Sequence, residues 1–187
     1  MSERSIIEQC ASTLAGLKTA NLFSTSFSDS RSLLSDIRRF NRVLRGKGIY
    51  IVPIQILDGR ALIYIYRPDR LERDLRHPKA LRILKEHGYG VGLTPVKYLS
   101  ELRKRLAGNE SFPHEIGLFL GYPPDDVSSF IRTPKKGVKC VGCWKVYHNA
   151  HKAKKTFKKY ELCTNCYKKS FEQGKTLDQL AVSAAAF

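Results

Sequence analysis

What this sequence lacks narrows it quickly. No apolar run approaches the roughly 20 residues that a bilayer crossing requires, so no membrane-spanning segment is expected and the membrane is not counted among the partners. The opening stretch, MSERSIIEQCASTLAGLK, has no continuous apolar segment of the kind a secretory signal carries, and the chain reads as cytoplasmic. Acids are scarce. Seventeen Asp and Glu stand against 33 Lys and Arg, a formal net charge of +16. That shortage makes polyanions the natural partner class, nucleic acid first, with a merely solvated basic surface as the plain alternative.

The familiar catalytic signatures are also missing. There is no G-x-x-x-x-G-K-[ST] loop and no G-x-S-x-G elbow. Gly88 to Gly92, GYGVG, follows a helical pattern rather than a strand, so it is not a dinucleotide fingerprint. His114-Glu115 begins like H-E-x-x-H, but Leu118 stands where the second histidine belongs. His114 and Glu115 remain the catalytic candidates, without a motif to support them.

What is present is clearest in the cysteines. Four of the five fall as two C-x-x-C pairs, Cys140/Cys143 and Cys163/Cys166, separated by 19 residues. A tetrahedral zinc site takes four soft ligands, and two such turns supply them at a usual spacing. In a reducing compartment, paired cysteines point to metal or redox chemistry rather than to a structural disulfide. Gly142 eases a tight knuckle, Trp144 to Tyr147 alternates like a strand, and the second pair precedes a helical stretch whose first turn it would occupy. That order resembles the treble-clef pattern of zinc modules. Zinc on Cys140, Cys143, Cys163 and Cys166 is therefore the expected cofactor, with His148 or His151 as replacement ligands. The ferredoxin spacings of an iron–sulfur cluster are absent. A thiol redox pair and four unrelated cysteines stay open as alternatives. Cys10 stands alone and reads as a small core residue.

Along the chain, a short helix is expected around Ile6 to Leu17, then a polar, Ser-rich connection to Ser30. Leu33, Ile37, Phe40 and Leu44 recur at helical spacing, with Leu34 and Val43 widening the stripe. Asp29 or Ser30 caps that helix, and its opposite face carries Arg38, Arg42 and Arg45. Two β-branched and aromatic runs then flank Asp58-Gly59, a strong hairpin signal. Both runs are apolar at nearly every position, which predicts a hairpin covered on both faces. Pro53 predicts an edge or a bulge. Helices are expected from Pro78, from Pro95 with Val96, Leu99, Leu102 and Leu106 inward, from Pro113, and from Pro124. RTPKKGVK reads as a linker, and Thr176 with Gln179 as a capping box.

These elements give an α+β fold: a small antiparallel sheet built on a hairpin, several packed helices, and a cysteine-bearing C-terminal section. The expected division is 1–132 for the core and 133–187 for the section packed on it. The nucleic-acid candidates are Arg38, Arg42 and Arg45 on one helix face, with Lys135, Lys136, Lys139, Lys154, Lys155, Lys158 and Lys159 in the C-terminal section. Tyr147, Tyr160 or Trp144 would stack on bases, with core packing as the other role open to Trp144.

The blocks CASTLAGLKTANLF (Cys10 to Phe23), GIYI (Gly48 to Ile51), FPHEIGLFLGYPPDDV (Phe112 to Val127) and CVGCWKVY (Cys140 to Tyr147), closing in GKTLDQL, resemble a bacterial family catalogued as a domain of unknown function and met mostly in anaerobes. The resemblance implies one continuous unit, a helix through Ala150 to Tyr160, and interest in Cys10 and His114; it implies no established activity. Three functions are thus in play: a non-enzymatic, zinc-stabilised nucleic-acid binder; a metal- or redox-handling protein of anaerobic metabolism; and an enzyme using His114 and Glu115.

Overall fold

A computed structural model describes residues 1–108 and 112–183. In chain order the elements are α1 (Glu3–Leu14), β1 (Ala20–Ser26), α2 (Ser30–Leu44), β2 (Tyr50–Leu57), β3 (Arg60–Tyr66), α3 (Pro68–Leu75), α4 (Pro78–Glu86), α5 (Pro95–Ala107), α6 (Ile116–Phe119), α7 (Pro124–Arg132), β4 (Cys140–Val141), β5 (Lys145–Val146), α8 (Ala150–Glu172) and α9 (Leu177–Leu180). The fold is α+β, with a three-stranded antiparallel sheet and a separate two-stranded ladder. Contacts divide the chain into two compact units. One is Met1–Pro68 with the described residues from Tyr160 onward; the other is Asp69–Lys159. The division falls within α8, so the 133–187 section contributes to both units.

In the first unit the sheet order is β1-β3-β2. Asp58 and Gly59 turn the hairpin with φ of 26° and 76°, the left-handed pair that matches strand twist. β2 is an edge strand, and its register shifts between Pro53 and Gln55, where proline has no N–H to donate. Ile63 and Ile65 are buried on one face of β3, and Tyr64 and Tyr66 on the other, as the doubly apolar pattern predicts; β2, at the sheet edge, buries only Ile51 and Ile54 and leaves Ile56 and Leu57 exposed. β1 was not expected. Its Ser- and Thr-rich sequence has a weak strand signal of its own, yet it pairs with β3 from Ala20↔Tyr66 to Ser26↔Arg60. A fully formed neighbouring ladder outweighs that weak local preference.

Asp29 caps α2 by accepting from the Arg31 and Ser32 N–H groups. Leu33, Ile37, Phe40 and Leu44 enter the core. Leu34 and Val43 do not widen the stripe; they are 39% and 37% exposed. Asn41 fixes α2 to β2, donating to Ile51 O at 2.7 Å and accepting from Ile51 N at 2.9 Å. Cys10 lies fully inside this core, and burial pushes its thiol pKa up. Arg67 is buried as well. Its guanidinium donates to Thr13 O and Leu14 O at 2.8 Å and to Val182 O at 2.7 Å. A cation at the C-terminus of α1 satisfies carbonyls the helix leaves open and meets the negative end of its dipole. The expected capping box at Thr176 and Gln179 opens α9.

The second unit is helical apart from its small ladder. α3 was not expected; Pro68 opens it as Pro78, Pro95 and Pro124 open α4, α5 and α7. In α5, Tyr98 joins Leu99, Leu102 and Leu106 inside and turns the stripe away from Val96, which is 69% exposed. The helix expected from Pro113 is the single turn α6. β4 and β5 pair Cys140 with Val146 and Val141 with Lys145. The strand expected over Trp144 to Tyr147 shortens to two residues.

Candidate functional site

The two aspartates that open α7 have different roles. Asp125 is exposed and accepts from Lys79 Nζ at 2.7 Å; that hydrogen bond holds its carboxyl below the usual range. Asp126 is only 4% exposed. Its Oδ1 accepts from the Tyr147 and His148 N–H groups at 2.9 and 3.1 Å, and its Oδ2 from Trp144 Nε1 at 2.8 Å. One buried carboxylate thus ties the β4–β5 hairpin to α7. Three N–H donors compensate its removal from water. Asp126 stands in the first turn of α7, where the helix dipole favours an acid, and the structure gives it a further task.

That tie sets Trp144 against Tyr122, with ring centroids 5.0 Å apart and planes at 29°. Phe157 from α8 meets Trp144 edge-on at 4.6 Å. Opposite them, His114 meets Phe130 edge-on at 5.0 Å. Between these rings lies a cavity of about 360 Å³, lined by Phe112, His114, Tyr122, Asp126, Phe130, Trp144 and Lys145 with Ile116, Gly117 and Val127. Such a volume and an apolar wall with few polar groups are those of a small-ligand site. Lys145 Nζ stands 5.2 Å from the Phe130 ring centroid, within cation–π reach, and donates to Pro134 O at 3.3 Å. Tyr147 Oη donates to the same carbonyl at 3.1 Å. The turn that carries exposed Lys135 and Lys136 is thereby held beside the pocket wall. Lys139 is anchored to the same hairpin, its N–H to Val146 O and its Nζ to His148 O, both at 2.8 Å.

A family model matches residues 6–181 of the chain. The chain belongs to the DUF3793 family. That family is described as a protein of unknown function. No curated protein and no solved structure matches the chain. Within this DUF3793 chain the pocket residues come from the two blocks that run from Phe112 to Val127 and from Cys140 to Tyr147, with Phe130 from the next turn of α7.

The other candidates separate around it. Glu115 does not line the pocket; it is buried and accepts from Tyr89 Oη at 3.0 Å. Of these two catalytic candidates, His114 alone lines this pocket. Arg38, Arg42 and Arg45 are exposed, as are Lys154, Lys155, Lys158 and Lys159 on α8. Tyr147 is buried, so stacking on bases falls to other rings.

The thiols are placed otherwise than expected. Cys163 and Cys166 lie well inside α8, which begins at Ala150, and not on a first helical turn. The run Ala153, Phe157, Tyr160, Thr164, Tyr167, Phe171 has heptad spacing, and it carries one uninterrupted helix through the place where a helix start was expected. Four zinc-bound sulfurs would sit within about 4 Å of one another. Among the described residues no group of three or more His, Cys, Asp or Glu is placed to hold a metal ion. Burial, and next the neighbouring Cys166, push the Cys163 thiol up to about 11. An exchanging dithiol needs the opposite shift, toward the thiolate.

Proposed function

We propose that the protein binds single-stranded nucleic acid without catalysing a reaction. A base stacks in the aromatic pocket, and the lysines beside it take the flanking phosphates. The observation that carries this reading is the juxtaposition of Trp144, Tyr122 and Phe130 with Lys145 and the Lys135–Lys136 turn. Aromatic faces accept any base, and lysines accept the backbone, so the pair is the minimum equipment of a single-strand site. The net charge of +16 supplies long-range attraction for the same ligand. This reading assigns no role to zinc.

Filter binding of a short oligoribonucleotide across a salt series tests it. Phe130→Ala should cost about 1–3 kcal/mol of binding at every salt concentration, because stacking is not ionic. Replacing Lys135, Lys136 and Lys139 by Gln should flatten the log–log salt slope by about 2, from about 0.7 per lost phosphate contact. Absence of binding at low salt, or an affinity untouched by Phe130→Ala, would overturn the proposal.

A further inference from the structure

Asp126 is a buried polar group of the pocket wall, and its hydrogen bonds are unevenly shared. Oδ1 accepts two N–H groups, whereas Oδ2 accepts only that of Trp144 among the described residues. A carboxylate offers about four acceptor positions, so one position on Oδ2 is left on a wall whose other polar side chains are His114 and Lys145. A ligand that buries this oxygen without an N–H to offer leaves one acceptor position of a charged group unfilled, which is costly away from water. A ligand carrying a carbonyl at that point also meets the carboxylate's charge.

We propose that the pocket selects its base by an exocyclic amino group donated to Asp126 Oδ2, and so prefers cytosine to uracil. The inference rests on the nucleic-acid reading above. The two pyrimidines have the same ring and fill the same space. They differ where it matters: cytosine presents an amino group at C4, and uracil a carbonyl. Uracil's own ring N–H lies between two carbonyl oxygens, both repelled by a carboxylate. A site built to bond one group rejects the analogue that lacks it more strongly than an apolar slot rejects a change of size. Acidic side chains read the cytosine amino group in this way elsewhere.

Filter binding of oligocytidylate and oligouridylate of equal length provides the test, since backbone charge then cancels. Oligocytidylate should bind about tenfold more tightly, the lower part of the range for one good polar base contact, with the same salt slope. The double variant Asp126→Asn/Trp144→Phe should reverse the preference. The amide oxygen keeps the Tyr147 and His148 N–H groups, the amide N–H₂ faces the pocket, and the phenyl ring removes the indole N–H that would oppose it. Circular dichroism checks that this variant folds. Trp144→Phe alone keeps Oδ2 as an acceptor and should keep the cytosine preference. Equal binding of the two oligomers by the parent protein would overturn the inference while leaving the nucleic-acid reading standing. So would a cytosine preference that survives in the folded double variant, or one lost in Trp144→Phe alone. Failure of both oligomers to bind would remove the inference together with that reading.

Discussion

Gly142→Ala is the perturbation whose outcome the structure defines most sharply. A Cβ at this position would fall onto Phe157 Cδ2 and Cε2, well inside van der Waals contact, and within 2.9 Å of its Cγ. Comfortable carbon–carbon separations are about 3.5–4.0 Å, so the ring has to withdraw. It has little freedom, because its edge lies on Trp144 at 4.6 Å. The hairpin has little freedom either. Gly142 N–H donates to Trp144 O at 3.1 Å, and Asp126 holds Trp144 by its indole nitrogen. Overpacking against such a ring costs about 1–3 kcal/mol. The chain has a single tryptophan, so urea unfolding followed by intrinsic emission reports from the pocket itself. Gly142→Ala should lower stability by that amount and alter native-state emission. In a Phe157→Leu background the penalty should shrink, giving a coupling of about 1 kcal/mol or more. A variant within about 0.5 kcal/mol of the parent, the range of an ordinary surface change, with unchanged emission would refute the packing described here.

Three further outcomes follow from other parts of the molecule. Replacing Arg38, Arg42 and Arg45 by Gln should flatten the salt slope of nucleic-acid binding by about 2, equally for RNA and DNA, since phosphate contacts carry no sequence information; an unchanged slope would remove the exposed face of α2 from the interface. Alkylation of Cys163, followed by mass spectrometry of iodoacetamide-treated protein, should be slow at neutral pH and keep climbing toward pH of about 11, because only the thiolate reacts; a plateau near neutrality would restore the redox reading. Lys79 depresses the Asp125 pKa, so this pair's stabilisation is present above the ordinary carboxylate value of about 3.9 and is lost as pH falls through the folded-state value. Both side chains are about half exposed, so Asp125→Asn should cost less than about 1 kcal/mol at neutral pH and nothing in strong acid; a larger, pH-independent loss in thermal melts would contradict the assignment.

The parts of the fold that local chemistry dictates were legible in advance. Asp58-Gly59, Pro53, the Leu33, Ile37, Phe40 and Leu44 stripe of α2 and the Thr176–Gln179 box each carry their own signal, and each stands where the sequence places it. β1 carried too weak a signal, since its pairing is supplied by β3. The cysteines misled for a related reason. C-x-x-C spacing is compatible with a knuckle and also with one turn of a helix, and the heptad run from Ala153 to Phe171 decides between them only when read across the whole of α8. The pocket was half legible. Trp144 and the Lys135–Lys139 stretch were named as nucleic-acid candidates, but Tyr122, Phe130 and Asp126 were not, because nothing local shows that a hairpin 20 residues on will close against α7. The adjacent Asp125 and Asp126 were the available clue: a helix start needs one acid, and the second was free for another role.

Trp144 emission during titration tests the central claim most directly. One ligand is a short oligoribonucleotide and the other an abasic chain of the same length and charge. Base stacking on the pocket predicts that the oligoribonucleotide quenches Trp144 and binds roughly 5- to 150-fold more tightly than the abasic chain, the equivalent of about 1–3 kcal/mol for one stacked base. Equal affinity for the two, with Trp144 emission unmoved by either, would contradict it and leave the positive charge as the whole basis of binding.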